Sequence, residues 1–222
     1  MSKTMRQMAR WHIWFGWLVG VPLLLWTASG LFMAARPLAE VRGEALRTDP
    51  AALTTAGLVV PRTAALHKLT LTDQAGRAMW IAQGADGTMA RYDAHSGAAM
   101  GRLREAEARA IAIAARVKPP AVAALKAFPA NAPPLDLRVA RPSWQARFAD
   151  GVHVYVDAET GDVLALRTNQ WRIYDFMWGL HIMDLQGREN SHHPLLIGFA
   201  SLALGTVLIG VVLMFRRRRA RR

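Results

Sequence analysis

Two stretches of the chain carry no Asp, Glu, Lys or Arg: residues 11–35 and residues 194–215. At about 1.5 Å per helical residue, each is long enough to cross a hydrocarbon layer of about 30 Å. Soluble helices rarely stay apolar on every face for six turns, so the pattern predicts two transmembrane helices. Between them the pattern changes to short alternations. Val152, Val154 and Val156 mark one face of a strand, and residues 88–92, 98–103 and 162–166 read as further extended segments.

Asp93-Ala94-His95-Ser96-Gly97 and Asp157-Ala158-Glu159-Thr160-Gly161 are the same phrase, Asp-Ala-x-Ser/Thr-Gly, standing 64 residues apart. Each lies between two extended segments and therefore predicts a hairpin turn. Asp and Ser/Thr oxygens accept from turn amides, and Gly takes a positive φ. Residues 104–117 predict a helix, with Ala108, Ile111 and Ala115 on one side and Pro119-Pro120 ending it. Residues 50–68 read as a poorer counterpart, broken by Gly57 and Pro61. Residues 69–72 and 78–83 predict strands around Gln74-Ala75-Gly76, and residues 135–141 and 143–149 predict strands before an Asp150-Gly151 turn. The expected fold class is α+β: two α-β-β-β units, 50–103 and 104–167, flanked by the two spans.

The remaining segments complete the division. Residues 1–10 form a basic N-terminus, 36–49 a polar linker, 168–193 an interfacial stretch rich in aromatics and His, and 216–222 a basic tail. Lys3, Arg6 and Arg10 at one end, and six arginines after Phe215 at the other, supply nine of the 28 basic residues with no acid among them. Short basic flanks stay on the cytoplasmic side, which predicts an inner-membrane protein with both termini cytoplasmic and a periplasmic central domain. The pI of 11.3 is thus a matter of topology, and nucleic acid is not an expected partner; the lipid bilayer is. A cleaved secretory signal is a rival reading of the first span, with Ala34-Ala35 as the tempting site, but the apolar run exceeds the usual h-region. The absence of cysteine excludes disulfides, thiolate metal sites and c-type haem attachment.

Residues 152–164 (VHVYVDAETGDVL), the doubled α-β-β-β order and the flanking spans resemble PepSY domains of PepSY-associated transmembrane proteins. Trp11-His12-Ile13-Trp14-Phe15-Gly16 is similar to that family's His-Arg-hydrophobic-Leu-Gly opening, from which Trp14 and Phe15 depart. Trp178-Gly179-Leu180-His181 resembles its Leu-His-x-Gly segment, although Asp184 and Gly187 come later than the usual glycine. The resemblance implies tandem PepSY-like units. Larger family members have four spans and include reductases of iron–siderophore complexes that carry b-type haem. PepSY domains also occur in propeptides that restrain proteases.

His12 at the inner end of the first span admits two readings: an imidazole among headgroups, or an axial ligand of haem b. Gly16 and Gly20 follow it at helical spacing as a Gly-x-x-x-Gly pair that predicts close helix packing. His181, His192 and His193 cluster at the other membrane face and are the further candidate ligands of haem iron. One span separates the two sets, so a single haem cannot use both, and a homodimer or a partner membrane protein would complete each site. No Gly-rich phosphate loop, GxSxG or HExxH motif is present. His67, His95 and His153 in the middle domain have no common location, and His95 and His153 are expected at the surface. The two functional expectations are a haem b electron-transfer component linked to reduction of ferric or ferrisiderophore iron, and a non-catalytic, membrane-anchored periplasmic binding or protease-inhibitory module.

Overall fold

The charge-free stretches become the two longest helices of a computed structural model that describes residues 3–63 and 65–219. Helix α1 runs over Lys3–Ala34 and α5 over Pro194–Arg219. They span about 48 and 39 Å, more than a bilayer core requires. Only 11% and 6% of their most apolar windows are buried within the protein, which excludes core helices of a soluble fold. The two pack against each other and, with residues from Ile173 onward, form one unit. The last residues of the expected tail, 220–222, lie outside the described residues.

The second unit, residues 38–172, opens with the short α2 (Leu38–Arg42) and a 3-10 turn, Glu44–Leu46. Strands β1 (Leu66–Gln74), β2 (Arg77–Gly84), β3 (Met89–Asp93) and β4 (Ala99–Met100) form one antiparallel meander. Helix α3 (Glu105–Ala114) follows, and β5 (Val122–Phe128), β6 (Ser143–Phe148), β7 (His153–Asp157) and β8 (Val163–Arg167) form a second meander. Helix α3 buries Ala108, Ile111 and Ala112 against Ala146, Phe148, Val154, Val156 and Leu166. Val154 and Val156 are fully buried, and each stabilises the unit by about 1.5–3 kcal/mol. On the opposite face of this sheet, Tyr155 and Ala165 are covered by Leu137.

The 64-residue offset extends well beyond the two turns. Met79 pairs with Asp93 and Trp80 with Tyr92, as Ser143 pairs with Asp157 and Trp144 with Val156. Gly97 N–H donates to Asp93 O, and Gly161 N–H to Asp157 O. Val59 donates to Ala94 O and accepts from the Trp80 indole, while Leu103 donates to Ala158 O and accepts from the Trp144 indole. After Leu103 the chain builds α3. After Val59 it reaches β1 within seven residues.

Two expected elements are therefore corrected. Residues 50–63 contain no helix: Pro61 removes a helix donor, and Val59 is held extended by its bonds to the hairpin. The first strand of the second meander is Val122–Phe128, not 135–141. That segment alternates like a strand, but Arg138 has a φ of +57° and the stretch folds as turns over the Tyr155 face.

Buried polar groups join the meanders. Gln74 Nε2 donates to Thr160 O at 2.6 Å, and its Oε1 accepts from Arg91 Nη1 at 3.1 Å. Arg91 also pairs with Glu107 of α3 at 3.6 Å. Arg116 makes a two-pronged contact with Asp150 (3.2 and 2.6 Å) and lies over the Phe148 ring, tying the end of α3 to the β6–β7 turn.

Candidate functional site

His12 and His181 both lie in the membrane-helix unit, each with its imidazole seated on a glycine. His12 is carried by α1 and faces α5. A Cβ on Gly210 would stand 2.9 Å from His12 Cε1, so only glycine admits the ring at that depth. His12 Nδ1 is 3.1 Å from the carbonyl oxygen of Thr206. A carbonyl only accepts, so this bond places a proton on Nδ1, and in the neutral ring the lone pair is then on Nε2.

His181 ends helix α4 (Asn169–His181) and repeats the arrangement near the other end of α1. Its Nδ1 is 3.1 Å from Trp26 O and 3.2 Å from Ser29 Oγ. Ser29 Oγ itself donates to Trp26 O, so the carbonyl again fixes the proton on Nδ1. The indole of Trp26 stacks on the imidazole at 5.0 Å and 13°. A Cβ on Gly30 would meet His181 Cε1 at 3.1 Å. Positions 12 and 29 of α1 are about 25 Å apart along the axis, so the two imidazoles occupy separate levels.

The other sequence candidates have different settings. His193 Nδ1 accepts the Leu195 N–H at 3.3 Å, which places its lone pair at Nδ1 and makes it a cap for the start of α5. His192 donates its backbone N–H to Asn190. A Cβ on Gly16 or Gly20 would meet nothing within 4 Å, so neither glycine lies in the α1–α5 contact. Steps of four residues drift about 40° around a helix, and by Gly20 the chain has turned away from the face that carries His12. Trp178 donates its indole N–H to Arg188 O.

The loop after α4 is braced. Arg188 pairs with the buried Asp175 at 2.7 Å, and the Asp184 carboxylate accepts from the amides of Gly187, Glu189 and Asn190. The amides of Asn190 and Gly187 hold that carboxyl below its ordinary range.

Of the histidines in the central unit, His67 and His95 are exposed. His153, expected at the surface, is half-buried, with Nδ1 3.2 Å from Asp136 Oδ2 and Arg172 Nη1 3.4 Å from the same oxygen. Burial pushes the Asp136 carboxyl up, but the His153 hydrogen bond and the Arg172 charge outweigh it and hold it below its usual value. Tyr155 is fully buried beside this group, and that burial drives its phenol up to about 12. Among the described residues, no three His, Asp or Glu side chains group closely enough to hold a metal ion by themselves.

Sequence reasoning missed Trp26, Ser29, Gly30, Thr206 and Gly210. A usable signal existed for some of them, because Ser and Thr inside a span must find partners and small residues admit close packing. Among curated proteins and among solved structures, none matches the chain. Residues 9–222 match the family model described as the PepSY-associated TM region, which takes in both spans and everything between them: the chain belongs to that family of membrane proteins.

Proposed function

We propose that this membrane protein is a haem b electron-transfer component serving reduction of ferric or ferrisiderophore iron, with His12 and His181 as ligands of haem iron. The observation that carries the reading is the pair of Nδ1 contacts to backbone carbonyls. Haem-ligating imidazoles use a neutral ring whose other N–H is anchored to a carbonyl or carboxylate, since this fixes the tautomer and strengthens the donor nitrogen. His12 and His181 fit that requirement; His193, with its lone pair turned to an amide, does not. A haem held by such neutral imidazoles would supply one-electron transfer.

Each chain offers one such ring at each of two levels, so a homodimer, or a pairing with another membrane protein, would supply the second imidazole for each haem. Gly210 and Gly30 give the rings their depth, and the Thr206 and Trp26 carbonyls hold them upright. We further infer that the central unit lies in the periplasm as two PepSY-type units, a reading supported by the shared register at one offset.

The test is the absorbance of full-length protein purified in detergent from haem-sufficient cells. A Soret band should appear, with haem content near one per chain falling to about half in His12→Ala and again in His181→Ala, because each removes one axial nitrogen. Colourless protein would move the reading to the anchored periplasmic binding or inhibitory module. Colour unchanged in both variants would move the ligands elsewhere, to His192 first.

A further inference from the structure

We propose that the lipid-facing side of α1 near its start is a binding site for an anionic phospholipid, with the phosphate held by Lys3, Arg6 and Arg10 and the glycerol region against Trp14 and Trp17. These positions are spaced 3, 4, 4 and 3 residues apart, so they form a single seam along the helix. His12 and the buried Val19 lie on the opposite side, toward α5. Lys3, Arg6 and Arg10 are exposed, and no acid occurs anywhere in α1. Trp14 and Trp17 are 71% and 80% exposed.

Charge selects the occupant. Three cations cover about 10 Å of the seam and two indoles the next 10 Å. Indoles settle at headgroup depth, which sets the cations at the level of lipid phosphates. Basic side chains spread around the helix would give the ordinary attraction of a positive flank to a negative surface. Cations aligned above indoles on one free face instead make a site of defined register. Haem plays no part in this site.

The probe is bromine-labelled phosphatidylglycerol, compared with bromine-labelled phosphatidylcholine at equal mole fraction. The full-length protein sits in phosphatidylcholine nanodiscs, and quenching of tryptophan fluorescence is read. Wild type should be quenched more by the anionic lipid. Arg10→Gln should lower that preference about five-fold, since each cation near the surface contributes about 1 kcal/mol, while Arg10→Lys should retain it. Arg216 is exposed at the same end of the unit but lies on α5, so Arg216→Gln should leave the preference within two-fold. Equal losses in Arg10→Gln and Arg216→Gln would reduce the site to general surface charge and overturn the proposal. Equal quenching by the two lipids in wild type would overturn it as well.

Discussion

Replacing Gly161 by Ala should be among the most damaging single-methyl changes in the central unit. Gly161 has a φ of +75°, and an L side chain in that region costs about 1–2 kcal/mol. A Cβ there would also stand 2.6 Å from both Nε2 and Oε1 of Gln74. Gln74 is nearly buried and holds both Thr160 O and the Arg91 guanidinium. Its displacement strands buried polar groups at about 1–3 kcal/mol each. With two such partners, Thr160 O and Arg91, the strain and the stranded groups together come to about 3–8 kcal/mol.

Gly97 occupies the equivalent turn with a φ of +70°, but there the only close approach of a Cβ would be to Val59 Cγ1 at 3.0 Å, with Val59 Cβ and O at 3.7 and 3.9 Å. An aliphatic side chain can give way, so Gly97→Ala should cost about 1–2 kcal/mol. Urea unfolding of the full-length protein in detergent, followed by tryptophan fluorescence, measures both. In a Gln74→Ala background Gly161→Ala should cost little more than its backbone strain, because the clash is already gone. Equal costs for Gly161→Ala and Gly97→Ala, or strict additivity with Gln74→Ala, would refute this account of how the meanders are locked.

Two further expectations concern acid and orientation. The Ser96 amide and hydroxyl, with Arg77, depress the Asp93 carboxyl to about 2, so its contribution is complete above the ordinary carboxylate range. That contribution should be lost as pH falls from about 4 through 2, and Asp93→Asn should flatten this limb of an acid-unfolding curve. Asp136 and Asp150 are depressed in the same direction, by their His153 and Arg172 contacts and by Arg116 respectively. Alkaline phosphatase fused after Gly97 or Gly161 should be active and after Arg222 inactive; activity at the C-terminus would reverse the proposed orientation.

What the sequence revealed depended on how local the determinant is. Charge-free runs specify their own helices, and an Asp with Ser or Thr and Gly at fixed spacing specifies its own turn, so both were legible. Beyond the phrase itself, the repeat also holds Trp80 and Trp144, and Asp86-Gly87 and Asp150-Gly151, at the same offset. Strand β5 was not legible: its Ala-rich VAALKAF lacks alternation and becomes a strand only through pairing with β6. Residues 135–141 alternate, yet serve to cover Tyr155. At the candidate site the histidines were visible, but their settings were not. Thr206 and Gly210 lie almost two hundred residues from His12, and Trp26, Ser29 and Gly30 about 150 from His181. The Gly16 and Gly20 spacing does not by itself say which helix they face, since the helix drifts by about 40° at each four-residue step, and neither faces α5.

The central claim rests on two imidazoles whose Nδ1 protons are held by carbonyls. The most direct measurement is the dithionite-reduced minus oxidised spectrum of full-length protein purified from haem-sufficient cells, with haem counted per chain. The account predicts sharp α and β bands of low-spin, bis-histidine b-type haem at about one haem per chain. A flat difference spectrum from correctly folded, membrane-inserted protein would contradict it.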